Sequence, residues 1–196
     1  MKLREDIWEG KELAPTRLGF GEGLVEAAAL EPRIVALSAD LTESTKMDLF
    51  EKKYPERFIQ MGVAEQNLAT VAAGMANYGK IPFITSYAAF SPGRNWEQIR
   101  TTIAINNVPV KIVGSHAGLL TGPDGATHQM LEDIALMRAM PNMIVLSPSD
   151  AEEARKATLA AAKTGTPVYI RVEREKMPRM TTPETPFAIG KANVLW

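Results

Sequence analysis

Apolar and polar positions follow two recurring patterns along the chain. Short apolar runs, typical of buried strands, alternate with longer segments whose apolar residues recur at helical spacing. Such an alternation predicts a parallel, right-handed α/β sheet that is covered by helices on both faces. We expect strands at 34–37, 58–60, 81–85, 109–114, 143–146 and 167–171, and helices at 18–30, 46–53, 66–78, 96–106, 133–139 and 150–163, with Thr16 and Asp150 as helix caps.

The stretch from residue 59 to residue 90 organises the rest of the chain. Glu65 stands where a helical pattern begins, and that helix is rich enough in alanine and glycine to pack closely. The next strand ends at Tyr87, and Phe90 follows three residues later. Ligands of open parallel sheets bind outside the carboxyl ends of the strands. The pattern therefore predicts one acidic group and two aromatic rings at such an edge.

Glu65 has a structural interpretation as well as a functional one. The backbone dipole favours an acid in the first turn of a helix, and simple packing explains many aromatic residues at strand ends. However, Val63, Ala64 and Leu68 flank Glu65, and the local sequence shows little sign of a cationic neighbour. A carboxyl in such surroundings is desolvated, which suits proton exchange.

Polar and charged side chains follow the other predicted strands too. Each group has an explanation other than a binding site. The polar residues after the first strand can cap the next helix, the segment 115–132 can be a turn-rich connection, and Arg171 can be a solvated arginine at a strand end. A metal site on the two histidines and one carboxylate of that loop is another alternative, although their spacing is loose. Convergence of groups that follow strand carboxyl ends favours one polar cleft for a small hydroxylated or anionic molecule, lined by Asp40, Glu65, Tyr87, His116 and Arg171.

Composition narrows the function classes. A length of 196 residues suits one sizeable core, and a net charge of −1 argues against a nucleic-acid surface or a polybasic membrane patch. Without cysteine, the chain has neither a disulfide scaffold nor thiolate metal ligands. No apolar run approaches the about 18 residues of a membrane span, and no signal-peptide pattern begins the chain. We therefore expect a cytoplasmic protein.

Five segments in this order resemble the pyrimidine-binding domain of transketolase: SADLTEST, GVAEQN, SYAAF, SHAGLLTGPDGATHQ and AMPNMIVLSPSD. The resemblance is closest to the split form, in which two polypeptides carry the enzyme and this sequence begins the carboxyl-terminal one. It implies a thiamine diphosphate-binding fold, a three-layer sandwich with a mostly parallel sheet. We expect an arm at 1–15, the pyrimidine-binding domain at 16–180 and the start of a linker to a further domain at 181–196.

The resemblance also implies residue roles. The family glutamate that matches Glu65 hydrogen-bonds N1′ of the cofactor aminopyrimidine, while thiamine diphosphate supplies the electron sink. Tyr87 and Phe90 match positions that line the pyrimidine, and Asp40 matches one near the cofactor; the segment FSPGRNWEQ differs from the unsplit enzymes, so both rings stay candidates. Catalytic roles fall to Glu65, His116 and His128, and substrate-binding roles to Ser44, His116, Asp124, His128 and Arg171, with Ser44 and Arg171 near the substrate phosphate.

The implied activity is transfer of a two-carbon ketol unit from a ketose phosphate to an aldose phosphate, as in the pentose phosphate pathway. The family motif for Mg²⁺ and the diphosphate, GDG followed by a distant Asn, is missing. We therefore expect no metal ligands on this chain, Mg²⁺ on a partner subunit with the diphosphate-binding domain, a homodimer through the pyrimidine-binding domain, and no activity of the chain alone.

Three other interpretations stay open. Deoxyxylulose-phosphate synthase is a near relative, but SADLTEST favours transketolase. The beta subunit of a 2-oxoacid dehydrogenase fits GPDGATHQ less well. A non-catalytic partner with the same fold is the third, and the presence of Glu65, His116 and His128 argues against it.

Overall fold

Six parallel strands form the central sheet of the computed structural model, which describes residues 2–7, 9–10 and 12–194. They are β2 (Ile34–Ser38), β3 (Phe58–Gln60), β4 (Ile81–Tyr87), β5 (Lys111–Ser115), β6 (Ile144–Leu146) and β7 (Val168–Arg171). Their order across the sheet is β3-β2-β4-β5-β7-β6. All six strands predicted from the sequence are confirmed, with small shifts of their bounds.

Helices cover both faces of the sheet and complete the predicted three layers. One face carries α1 (Thr16–Leu30), α2 (Asp48–Lys53) and α6 (Ala151–Ala162). The other carries α3 (Glu65–Asn77), α4 (Trp96–Gln98, continued as a π-helix at Ile99–Ala104) and α5 (Asp133–Arg138). None of the helices described is both long and apolar enough to cross a membrane.

Two hydrophobic cores, one on each side of the sheet, explain the continuous apolar runs. In β2, Ile34 and Ala36 belong to the core beneath α1, whereas Val35 and Leu37 belong to the core beneath α3. Successive side chains of a strand point to opposite faces. Because helices cover both faces, every residue of β2 is buried, and apolar residues fill inward and outward positions alike.

Helix starts agree with the sequence in one case and differ in two. Asp150 caps α6 as predicted, with Oδ1 accepting from the Glu153 backbone N–H at 2.8 Å. Thr16 is not a cap, because α1 already begins there and the Thr16 hydroxyl accepts from the backbone N–H of Glu173 instead. The second helix begins two residues late, at Asp48, since Lys46 has a φ of +66° that an α-helix does not accommodate.

The predicted arm and the carboxyl-terminal segment are tied to each other. β1 (Leu13–Ala14) pairs antiparallel with β8 (Met177–Pro178), and a bridge joins Leu3 to Thr181. Strands of two residues carry no periodicity, so the sequence could not predict them. The division at 1–15, 16–180 and 181–196 stays a prediction, and the parts of it at Met1, Trp8, Lys11, Leu195 and Trp196 lie outside the described residues.

We expect Gly19→Ala to destabilise the fold, because α1 packs directly on α6 at this position. A Cβ on Gly19 would lie 1.8 Å from the Ala151 carbonyl oxygen, so the helices would have to separate, at a cost of about 1–3 kcal/mol. Gly74→Ala in α3 is the matched control, since an added Cβ meets nothing outside its own helix within 4 Å. Helix propensity predicts that this control gains up to about 1 kcal/mol. Urea unfolding of both variants is the measurement, and equal midpoints would contradict the close approach of the two helices.

Candidate active site

The predicted site residues follow the carboxyl ends of five strands, at one edge of the sheet. In the parallel register, Ser38 pairs with Thr85 and Tyr87 pairs with Ser115. The residues that follow these strand ends are therefore neighbours in space. Asp40 follows β2, His116 follows β5 directly, and Glu65 starts α3 after β3.

Four aromatic side chains form one group at this edge, which we call the ring cluster: Tyr87, Phe90, His116 and His128. Tyr87 stacks on His116 with ring centroids 3.7 Å apart and planes inclined by 20°. Phe90 lies nearly parallel to Tyr87 at 6.1 Å. The His128 ring meets both edge-on, at 5.2 Å from Phe90 and 6.1 Å from Tyr87. The structure thus brings together all four rings that the sequence singled out.

Glu65 is buried at the first position of α3, with 2% of its surface exposed. Its Oε2 accepts a hydrogen bond from Nη1 of Arg94 at 2.8 Å. The expectation of a carboxyl without a cationic neighbour is therefore wrong. The local sequence could not show the ion pair, because Arg94 lies 29 residues further along the chain.

Arg94 connects the acid to the ring cluster. Its guanidinium carbon lies 4.6 Å from the centroid of the Phe90 ring, and 48% of its side chain is exposed. Asn95, which follows it, is fully buried and donates from Nδ2 to the Glu65 carbonyl oxygen at 2.8 Å. Glu65 and Arg94 line a shallow cavity of about 160 Å³ together with residues 63–64 and 66–67.

His116 is held in one orientation by neighbours on both ring nitrogens. Nδ1 lies 2.9 Å from the Ser115 hydroxyl, and Nε2 lies 3.3 Å from Nη1 of Arg17. A guanidinium only donates, so Nε2 accepts and Nδ1 carries the proton. Burial, followed by the charges of Arg17 and Arg174 and by His128, lowers the pKa of His116 to about 3. The ring is therefore neutral across the physiological range of pH.

Arg17 belongs to the site although the sequence analysis missed it. Nη1 also donates to the Ser44 carbonyl oxygen at 2.6 Å, which places the predicted Ser44 beside His116. Its Nε is buried and has no hydrogen-bond partner in the described part of the chain. Burial lowers the pKa of the Arg17 guanidinium below its usual value. A buried donor in this state can bind an anion. Arg17 precedes the first strand of the sheet, so a search of strand ends could not find it.

Asp124 and Arg171 each lie close to a side chain of opposite charge. Asp124 ends a 3₁₀-helix at Leu119–Asp124 inside the predicted loop, with Oδ2 4.0 Å from Nη1 of Arg174. Arg171 is paired within the chain, from Nε to Asp133 Oδ2 at 3.1 Å and from Nη1 to Glu173 Oε1 at 3.0 Å. The charge of Arg171 is therefore already compensated.

Asp40 lies at the opposite end of the site, on the surface. Its φ is +64°, and its backbone N–H donates to Gln60 Oε1 at 2.8 Å, which fixes the turn after β2. No contact of Asp40 within the described chain reaches the ring cluster or the Glu65 ion pair.

The alternative of a metal site in the 115–132 loop is not supported. Across residues 2–7, 9–10 and 12–194, no group of three or more histidine, aspartate or glutamate side chains is arranged to hold a metal ion. His116, Asp124 and His128 therefore do not form such a group.

Residues 13–180 match the family described as the transketolase, pyrimidine binding domain. The chain belongs to this family. This pyrimidine-binding domain is 45% identical over 186 residues to the putative transketolase C-terminal section of Methanocaldococcus jannaschii. The aligned region covers 91% of this chain and 57% of that protein. The chain thus spans little more than half the length of this relative.

Two solved structures have the same fold as the pyrimidine-binding domain. The split-gene transketolase whose structure is an inactive β4 tetramer is 46% identical, with a TM-score of 0.83 over 92% of this chain and 58% of that one. The transketolase from Campylobacter jejuni is 28% identical, with a TM-score of 0.80 over 94% of this chain and 30% of that one. The predicted family and fold are confirmed.

Membership of the transketolase family implies the use of thiamine diphosphate, and the residues present fit its pyrimidine. An aminopyrimidine needs a carboxyl oxygen at its edge and a flat apolar surface beneath it. Glu65 supplies the first: within the described chain no hydrogen bond reaches its Oε1, and its side chain borders the small cavity. The adjoining ring cluster supplies the second.

We expect His116 to make the fold sensitive to acid. The unfolded chain binds a proton near pH 6.5 whereas the folded chain resists protonation down to about pH 3, so stability is lost as pH falls through this window. The loss is at most about 1.4 kcal/mol per pH unit for one proton. His116→Asn removes the titrating group and tolerates the φ of +55° at this position. The free energy of unfolding, measured with urea at several pH values, should change less steeply with pH in the variant than in the wild type between pH 4 and pH 6. An equal dependence on pH in both proteins would contradict the assignment.

Proposed function

We propose that this chain is the pyrimidine-binding part of a two-subunit transketolase, which transfers a two-carbon ketol unit from a ketose phosphate to an aldose phosphate. The observation that carries the proposal is the buried carboxyl of Glu65 at the same sheet edge as the ring cluster. A proton-exchanging acid beside stacked rings suits an aminopyrimidine better than a sugar alone.

Thiamine diphosphate supplies an electron sink when it is bound. The part of Glu65 is to hold the proton shared with N1′ of the pyrimidine, and burial keeps water from competing for that proton. Phe90 is the better candidate for the ring contact, because one face of Tyr87 is already covered by His116 at 3.7 Å. Asp40 borders the cofactor from the neighbouring strand end.

His116 and His128 bind the sugar hydroxyls. Since Nδ1 of His116 donates to Ser115, its Nε2 accepts, and a substrate hydroxyl that replaces Arg17 there donates to it. His128 is oriented by the Thr127 hydroxyl, 2.8 Å from Nδ1, which leaves Nε2 for the substrate. Asp124 contributes an acceptor further along the cleft.

The phosphate of the substrate binds at Arg17 and Ser44. Arg17 has a buried, unpartnered Nε, whereas Arg171 is compensated by Asp133 and Glu173. We therefore assign the main phosphate contact to Arg17 and keep Arg171 as a supporting cation behind the His116 loop.

A second subunit with the diphosphate-binding domain completes the enzyme and holds Mg²⁺. The name of the archaeal relative, a C-terminal section, and that of the split-gene structure support such a division. We also propose a homodimer through α3. Apolar side chains are exposed on and beside this helix: Val71 (40%) within it, Val63 (71%) before its start and Tyr78 (92%) directly after its end. A second copy can cover these residues.

We expect Glu65→Gln to lower the rate of ketol transfer by about 100-fold or more, because general acid–base catalysis contributes at least that factor. The assay combines the complete polypeptide with the partner subunit, thiamine diphosphate, Mg²⁺, xylulose 5-phosphate and ribose 5-phosphate. Glu22→Gln, which changes an exposed acid on α1, is the matched control and should keep full activity.

Two outcomes would change the assignment. Condensation of pyruvate with glyceraldehyde 3-phosphate, without sugar transfer, identifies a deoxyxylulose-phosphate synthase instead. Sugar transfer that does not depend on Glu65 leaves the activity in place but contradicts the role of this carboxyl.

We expect Arg17→Met to raise the KM for ribose 5-phosphate by about 10-fold or more, since it removes a charge-assisted hydrogen bond to the phosphate. The KM for an acceptor without phosphate, such as glycolaldehyde, should change little. Lys163→Met serves as the control for loss of one positive charge far from the site. An equal effect on both acceptors would show that Arg17 acts on the sugar or on the fold.

A further inference from the structure

Arg94 is a charged residue of the site that has no role in the predicted or the proposed function. Its guanidinium makes two contacts at once: Nη1 donates to Glu65 Oε2 at 2.8 Å, and Cζ lies 4.6 Å from the centroid of the Phe90 ring. Both contacts are on groups to which we assign the binding of the cofactor pyrimidine.

The guanidinium resembles an aminopyrimidine in the properties on which these two contacts depend. It is planar, it carries N–H donors in its plane, and it stacks on aromatic faces. One carboxyl oxygen and one face of a phenyl ring recognise such a group in either case. Glu65 Oε1 is free of hydrogen bonds within the described chain, but where Arg94 now lies a pyrimidine cannot stack on this face of Phe90 while it reaches the Glu65 carboxyl.

We propose that Arg94 is an internal stand-in for the pyrimidine, which occupies this half of the cofactor site until thiamine diphosphate displaces it. The proposal rests on the proposed function, because it takes Glu65 and Phe90 as the pyrimidine ligands. It adds a residue that sets how readily the site accepts the cofactor.

Burial explains why the empty site needs such a residue. Glu65 is 2% exposed, and an ionised carboxylate in that position is costly without a partner. Arg94 supplies the partner and remains 48% exposed, so its charged end can return to water when it is displaced. The pairing therefore protects the carboxylate without fixing it permanently.

The backbone beneath Arg94 is anchored, so only the side chain has to move. The buried Asn95 donates to the Glu65 carbonyl oxygen at 2.8 Å and to the Ser91 hydroxyl at 3.2 Å. The backbone N–H of Arg94 itself donates to the Phe90 carbonyl oxygen at 3.0 Å. These bonds keep Phe90 and the start of α3 in position while the guanidinium swings outward.

Only molecules in which the guanidinium has moved away can bind the cofactor. The apparent Kd is therefore the intrinsic Kd divided by the fraction of molecules in this open state. The displaced guanidinium returns to water, in which it is already half exposed, and we take the open fraction to be roughly one in ten. Arg94→Met keeps the aliphatic stem but removes the planar cation. We therefore expect the Kd for thiamine diphosphate to fall by about 10-fold in this variant.

The experiment is isothermal titration calorimetry of thiamine diphosphate into the assembled enzyme with saturating Mg²⁺, with no sugar present. Arg94→Lys keeps the charge but cannot lie flat on Phe90, so its Kd should fall between those of the wild type and Arg94→Met. Arg100→Met, which changes an exposed arginine in the π-helix that continues α4, is the matched control and should leave the Kd unchanged.

Each outcome separates this inference from the proposed function. If the wild-type assembly binds no thiamine diphosphate, the proposed function fails. If it binds the cofactor but Arg94→Met leaves the Kd unchanged or raises it, Arg94 is a permanent ligand or a structural residue, and the displacement is wrong. A fall in Kd in Arg94→Met that Arg100→Met also shows would indicate a general effect of charge and would equally overturn it.

Discussion

The need to satisfy one buried carboxylate governs the arrangement of this site. Glu65 sits at the start of α3, where the helix dipole favours an acid but solvent is excluded. Three neighbours compensate for its burial. Arg94 supplies a countercharge, Asn95 fixes the backbone at Glu65, and the ring cluster covers the side towards β4 and β5. The sheet contributes by bringing these groups to one edge in a fixed register.

A second constraint is that the basic groups of the site are mostly either kept neutral or paired with acidic side chains. His116 is kept neutral by burial and by Arg17 and Arg174, and Arg171 is neutralised by Asp133 and Glu173. Arg17, by contrast, has a buried Nε without a hydrogen-bond partner in the described part of the chain. The site thus combines a neutral acceptor, Nε2 of His116, with an adjacent buried donor, Nε of Arg17.

The sequence predicted the fold and the rings because both depend on local signals. A buried strand is visible as an apolar run, and the residues after it share one sheet edge in any parallel sheet, so Glu65, Tyr87 and His116 could be grouped without a structure. Arg17 and Arg94 could not. Arg17 stands ahead of the first strand of the sheet, and the partner of Glu65 is 29 residues away in a segment that reads only as a turn. Long-range ion pairs leave no periodic trace.

The pairing of β1 with β8 has a consequence for how this domain combines with others. It places the segments that lead into and out of the three-layer core side by side. A core whose entry and exit adjoin can be joined to different neighbours without rearranging its interior. The matches to this chain cover 58% of one solved transketolase chain and 30% of another. The same fold therefore occurs within polypeptides of very different length, as adjacent chain ends permit.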